Sequence, residues 1–297
     1  MYHNPVMLKE AIEGLAVTTG GTYVDATFGG GGHAAAILSK LGDGRLIAFD
    51  QDDEAADNIP DDDRILFLNH NFRYIKNFLK YYGYPQVDGI LADLGVSSHQ
   101  FDKAERGFST RYDSPLDMRM NKESNFTAKN VLNEYDTKRL ADVFYLYGEL
   151  KNARKIADII AKERSDKPLE TTGQLTDLLK PMAPRKRENK FMAQVFQALR
   201  IEVNAELDAL KDLLEKSVEV LKEGGRLVVI SYHSLEDRLV KNFIKSGRFD
   251  GKQEKDFYGH LQRPLMPAGK LQTPCEEELA TNSRARSARL RVAEKIS

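Results

Sequence analysis

Thr22-Tyr23-Val24-Asp25-Ala26-Thr27-Phe28-Gly29-Gly30-Gly31-Gly32-His33 joins a short apolar and β-branched run to four consecutive glycines, and a helix-compatible stretch opens at about Ala34. Consecutive glycines let the main chain turn tightly and approach a ligand without Cβ obstruction, while the helix start beyond them offers free N–H groups. Strand, glycine turn and helix in that order predict a cofactor loop at the head of an α/β fold. The loop lacks the Gly-Lys-Ser/Thr ending of a phosphate loop, which speaks against ATP or GTP hydrolysis. On its own a glycine run is equally compatible with a structural turn.

The pattern repeats outward from that stretch. Arg45 to Asp50, Ile65 to His70 and Val87 to Leu94 are further apolar runs separated by helix-compatible segments, the signature of βαβ units around a buried parallel sheet. From about Arg106 to Arg200 strand signals vanish. Asp136 can cap a helix holding Leu140, Val143, Phe144 and Tyr147; another holds Ile156, Ile159 and Ile160; a third starts at Thr172. The α/β pattern then resumes. A helix is expected from Val203 to Leu221 with a stop at Gly224-Gly225, then a strand from Arg226 to Ser231, a helix from Leu235 to Ile244 and an edge strand from Ala288 to Ala293. Between the last two no element is assignable.

These readings predict a Rossmann-like α/β core from residues 1–105 and 201–297, interrupted by an all-helical insertion at 106–200. The insertion leaves after the fourth strand, at the sheet edge where open α/β folds bind ligands, a position suited to covering a substrate.

Composition narrows the class. A chain of 297 residues, 41% hydrophobic and 30% charged, is that of an ordinary globular protein. The single Cys275 excludes an intramolecular disulfide and a cysteine-cluster metal site, and a reducing cytoplasm is expected. No run approaches the roughly 20 apolar residues needed to span a bilayer, and the opening MYHNPVMLKE lacks a signal-peptide layout, so no membrane partner is expected. A net charge of -1 argues against nonspecific coating of nucleic acid. Any RNA contact must be local. Basic residues gather at Arg185, Lys186, Arg187 and Lys190 and at Arg284, Arg286, Arg289 and Arg291, although solvated surface charge accounts for either group alone.

Asp50 ends the second run about 20 residues past the glycines, the spacing at which a carboxylate meets the hydroxyls of an adenosine ribose. Loop and Asp50 together indicate an adenosine-type cofactor without separating NAD from S-adenosyl-L-methionine. Asp93-Leu94-Gly95-Val96-Ser97-Ser98-His99-Gln100 discriminates further. An exocyclic base nitrogen is a poor nucleophile, and amino-group methyltransferases place a polar acceptor at this strand end to orient it. A polar strand terminus explains Asp93 equally well.

The segments TFGGGGH, DLGVSSHQ, ERGFS, SPLDMRM, FQALRIEVNAEL, EGGRL, ISYHSLEDR and NSRARSARLRVAEK, in that order, resemble the ribosomal small-subunit methyltransferase H family, also called MraW, over nearly the whole chain. The resemblance implies an S-adenosyl-L-methionine-dependent enzyme that methylates N4 of a decoding-centre cytidine in 16S rRNA within the small ribosomal subunit. It implies cofactor contacts at Gly31, Gly32, His33, Asp50, Phe72, Asp93 and Gln100, with Phe72 stacking on adenine. Two positions depart from the family pattern, Gly30 and His99, and neither is a matched contact.

Asp93 and His233 are the candidate catalytic residues, with Asp237 beside them; Arg106, Arg119 and Arg200 are candidates for phosphate contact. No metal and no covalent enzyme intermediate are expected, so Cys275 has no role as a nucleophile. A homodimer is one option for assembly. The rival functions are a DNA amino-methyltransferase, which typically carries a Pro-Pro-aromatic sequence where this chain has Leu-Gly-Val, a nicotinamide-dependent oxidoreductase, and a non-catalytic RNA-binding assembly factor.

Overall fold

A computed structural model of the chain describes residues 5–296. α1 (Leu8–Leu15) leads into β1 (Thr22–Asp25), α2 (Gly32–Leu41), β2 (Arg45–Phe49), β3 (Ile65–Leu68), α3 (Ile75–Tyr81) and β4 (Val87–Asp93). The strands are continuous apolar runs because both of their faces are covered. Val24, Ile47 and Ile90 point into one core and Tyr23, Leu46 and Leu91 into the other, as the two-residue repeat of a strand requires.

After β4 come only helices: α4 (Ser98–Asp102), α5 (Ala128–Glu134), α6 (Thr137–Leu146), α7 (Ala153–Asp166), α8 (Thr172–Leu179) and α9 (Glu188–Asn204). Asp136 accepts from the Arg139 N–H at 2.7 Å and so caps α6, while Thr127 and Thr171 open α5 and α8 with capping boxes. Their apolar faces share one core around Phe144, Ile156, Ile160, Leu175, Val195 and Leu199.

The chain returns through α10 (Glu206–Val220), β5 (Leu221–Ser231), α11 (Ser234–Ser246), β6 (Leu265–Pro267), α12 (Glu276–Thr281) and β7 (Arg289–Lys295). Sheet order is β3-β2-β1-β4-β5-β7-β6, with β1 to β5 parallel and β7 antiparallel to both neighbours. Order reverses between β1 and β4, and in open α/β sheets that switch point marks the ligand crevice. This is a Rossmann-like core carrying an all-helical segment. Among the described residues no helix is long and apolar enough to cross a membrane.

Several boundaries differ from expectation. The helix expected from Val203 to Leu221 is broken at Ala205, which sits at φ 48°, so Val203 belongs to α9. Leu221 already pairs with Val87, and Lys222 to Gly225 bulge out before Arg226 meets Gly89. The strand expected at the edge is not the last of the sheet, because β6 pairs with its end at Ala293 to Lys295 and Gln272 bridges Leu290; three residues of β6 are too few to show a periodic signal. Two compact units emerge, Met1–Gly95 with Leu207–Ser297, and Val96–Glu206. The expected seams at 105/106 and 200/201 lie inside the second unit, since Val96 and Phe101 pack on the helical core and α9 runs unbroken to Asn204.

Candidate active site

Neighbouring strands bring three aspartates to one sheet edge: Asp25 ends β1, Asp50 directly follows β2 and Asp93 ends β4. The Asp50 carboxylate clasps the glycine loop, its Oδ2 accepting from the Gly29 N–H at 2.7 Å and its Oδ1 from the Asp52 N–H at 2.9 Å. Burial pushes its pKa up to about 6 against those bonds. Asp25 is 1% exposed; its Oδ1 accepts from the Thr27 N–H at 3.1 Å, and its Oδ2 has no hydrogen-bond partner among the described residues. Its pKa is also pushed up to about 6, chiefly by burial.

Gly31 and Gly32 occupy the expected loop for reasons the chain itself supplies. Gly31 has φ 74°, a left-handed conformation that favours glycine, and a Cβ on Gly32 would stand 2.2 Å from Pro5 Cγ. Among the described residues nothing lies within 4 Å of a Cβ built on Gly30, so they leave room for a larger residue there. His33, in the first turn of α2, is buried and its Nε2 lies 3.1 Å from the Val6 carbonyl. That bond assigns the proton to Nε2. Burial lowers the His33 pKa, so its Nδ1, 3.8 Å from Asp93 Oδ2, belongs to a neutral ring rather than an ion pair.

Asp93 is the centre of the arrangement. Its N–H donates to Thr27 Oγ1 at 2.6 Å, its Oδ1 accepts from the Tyr232 hydroxyl at 2.7 Å, and its side chain is 22% exposed. Burial pushes its pKa up to about 7, with Tyr232 pulling it down and Glu236 and Glu278 adding to the rise. Tyr232 is pushed well above the ordinary phenol range by burial and by Asp93, so it stays a hydrogen-bond donor.

His233 stands at the same sheet edge but serves α11. Its Nδ1 accepts weakly from the Glu236 N–H at 3.4 Å, and its Nε2 lies 3.1 Å from Glu236 Oε1 without hydrogen-bond alignment. Glu236 Oε2 in turn accepts from the Tyr232 N–H at 2.9 Å and the His233 N–H at 3.3 Å. Asp237 is held by Arg291 and Arg289 at 2.7 Å and 2.9 Å. Phe72 opens a single 3-10 turn after β3 and is half-buried against the sheet core. Gln100 belongs to the helical unit, where it is buried and closes the capping box of α4 with Ser97.

The three arginines expected to meet phosphate all have partners inside the protein. Arg106 is buried and donates to the carbonyls of Arg119 and Met120, Arg119 pairs with Asp117 at 2.7 Å, and Arg200 grips Glu206 at 2.8 Å. Two residues of this edge are missed by sequence reasoning. Asp25 carries a signal that could have found it, a lone acid in an apolar strand; Tyr232, inside ISYHSLEDR, carries none.

Three desolvated carboxylates at one edge are costly unless something cationic meets them. S-adenosyl-L-methionine carries a sulfonium and an ammonium, and the Asp50 carboxylate, which offers about four acceptor sites, has capacity left for a ribose hydroxyl beyond its main-chain donors Gly29, Asp52 and Gln51. The residues therefore fit this cofactor, whereas the pyrophosphate of a nicotinamide dinucleotide would meet like charge.

Proteins named ribosomal RNA small subunit methyltransferase H are similar to this chain: that of Bacteroides fragilis strain YCH46 is 56% identical over 296 residues, covering 99% of this chain and 97% of that protein. The Christiangramia forsetii protein of the same name is 55% identical, covering 99% and 98%. Among solved structures, an rRNA methylase from Streptococcus thermophilus aligns over 100% of this chain and 99% of its own at 12% identity and a TM-score of 0.42. A model of the MraW methylase family matches residues 1–296. The chain belongs to the MraW methylase family and is a methyltransferase that uses S-adenosyl-L-methionine.

Proposed function

We propose that the chain methylates the exocyclic N4 of a decoding-centre cytidine in 16S rRNA, acting on the small ribosomal subunit in the cytoplasm. The observation that carries this reading is the Asp93 carboxylate at the switch point of the sheet, desolvated, still 22% exposed, and with a pKa pushed up to about 7. A group so poised can accept a proton at neutral pH. The names of its relatives direct the reading to RNA of the small subunit.

S-adenosyl-L-methionine, when bound, would supply an electrophilic methyl group on a sulfonium that is neutralised by the transfer. Asp93 accepts one hydrogen of the N4 amino group, turns the nitrogen lone pair toward the methyl, and takes the proton that the methylated nitrogen sheds. Asp50 holds the ribose, and the glycine loop lets the backbone approach the cofactor. The target base must leave its stack to reach the sheet edge. The helical unit is assigned the grip on RNA, through Arg185, Lys186, Arg187 and Lys190, all exposed and without ion-pair partners among the described residues.

Incubation with small subunits and isotopically labelled S-adenosyl-L-methionine, followed by mass spectrometry of rRNA nucleosides, tests this. Label in N4-methylcytidine is expected. Label in another nucleoside, or in plasmid DNA offered in parallel, would overturn it, the latter in favour of a DNA amino-methyltransferase.

A further inference from the structure

We propose that Tyr232 is a positioning residue for methyl transfer, its hydroxyl anchoring one oxygen of Asp93 so that the other is presented to the amino group being methylated. The inference rests on the reading of Asp93 as the amino acceptor and adds a residue to it.

Tyr232 follows the last residue of β5, whose neighbour Ile230 is paired with Asp93 on β4, so the sheet places both side chains at one end. The two carboxylate oxygens differ. Oδ1 accepts the Tyr232 hydroxyl at 2.7 Å; among the described residues no hydrogen bond reaches Oδ2, whose neighbour His33 Nδ1 is 3.8 Å away. His33 is kept from turning toward it by the bond from its Nε2 to the Val6 carbonyl. Asp93 is fixed at the main chain by Thr27, and Tyr232 by the bond from its N–H to Glu236 Oε2. Gly95, at φ +98° in the region that favours glycine, turns the chain beside the tyrosine ring, where even a Cβ would reach only ordinary contact distance, 3.6 Å from Tyr232 Cδ2. A carboxylate held at one oxygen cannot rotate away, and a lone amino hydrogen needs such a fixed acceptor.

The charged and titratable groups facing Asp93 are Tyr232 beyond β5, His33 on α2, Glu236 on α11, Glu278 on α12 and Asp25 on β1. The two glutamates and Asp25 disfavour its ionised form. Tyr232 is the group that favours it by a hydrogen bond, so removing the hydroxyl should make Asp93 harder to ionise.

The test compares Tyr232→Phe with Asp93→Asn in single-turnover methylation of small subunits across pH, with S-adenosylhomocysteine binding measured on the same preparations. Tyr232→Phe should keep its cofactor affinity, lose about tenfold in rate at neutral pH, and show an acid limb moved up by about one pH unit, the equivalent of one lost hydrogen bond to a charged group. Asp93→Asn should lose roughly 100-fold. Difference infrared spectra of the substrate-free protein, read against Asp93→Asn, should show the same upward movement of the Asp93 titration. If the limb and the infrared titration stay in place while Asp93→Asn is inactive, Tyr232 has no such role although Asp93 does. An Asp93→Asn enzyme that turns over normally removes the reading of Asp93 and this proposal with it. Should Tyr232→Phe not fold, 3-fluorotyrosine at position 232, a stronger donor, must move the limb the opposite way, and a limb that fails to move overturns the proposal.

Discussion

Asp25, Asp50 and Asp93 each hold their proton more tightly in the folded protein than an exposed carboxyl does, because burial outweighs the N–H and O–H groups that bond them. A carboxyl with a raised folded pKa binds more protons folded than unfolded. Its contribution to stability is therefore present below the ordinary carboxylate range and is lost as pH rises through about 6 for Asp25 and Asp50 and about 7 for Asp93. His33, lowered by burial, acts in the opposite sense. The cofactor-free thermal midpoint of an Asp93→Asn variant should gain on that of the original protein as pH rises toward 7, when both are followed by scanning calorimetry. A difference that does not vary with pH would contradict the raised pKa. Asp50→Ala should weaken S-adenosylhomocysteine binding by about 1.5 to 3 kcal/mol, the range for hydrogen bonds to a charged group, in isothermal titration. Unchanged affinity in a folded variant would remove Asp50 from the ribose.

At the scale of elements, α11 is fastened at its first turn from two sides. Glu236 ties that turn to the main chain of Tyr232 and His233, and Asp237 ties it across to Arg289 and Arg291 on β7. Burial pushes the Asp237 carboxyl up, but Arg291 and Arg289 outweigh it and hold it below the usual carboxylate range. Asp237 is buried, Arg291 nearly so, and Arg289 half exposed, so breaking the cluster should cost less than a fully buried triad would. Asp237→Asn should lower unfolding free energy by about 3 kcal/mol in denaturant titration. If stability is unchanged and only turnover falls, Asp237 belongs with the reacting groups after all. The helices of the second unit show why such elements are readable in advance. Asp136 stands just before an apolar run at helical spacing and its side chain bonds the N–H three residues on; Thr171 does the same one residue before the expected start at Thr172, while sequence reasoning misses the Thr127 cap of α5.

For the whole molecule the question is where RNA is held. Arg106, Arg119 and Arg200 are spent on internal carbonyls and carboxylates, whereas Arg185, Lys186, Arg187 and Lys190 form an exposed basic run in the helical unit, the run proposed to meet phosphate. Replacing Arg185, Lys186 and Arg187 with Ala should weaken binding to small subunits and flatten its salt dependence by about 0.7 to 0.9 in log-log slope for each phosphate no longer neutralised. Filter binding at several salt concentrations measures both. An unaltered slope would return the run to ordinary solvated surface.

The strands, the glycine loop, the capped helices and the family were legible in the chain alone, because backbone geometry repeats every two or 3.6 residues and local patterns record it. Other features were settled only by the tertiary structure. Tyr232 meets Asp93 from 139 residues away, Asp237 meets Arg291 from 54 away, and the three-residue β6 takes the sheet edge from β7. Those pairings depend on which strands lie side by side, and no period along the sequence encodes strand order. The three arginines differ in kind: their partners lie within 14 residues along the chain, but the turns that bring them together follow no repeating period. Local spacing named the chemistry; long-range packing chose which side chains remained free to perform it.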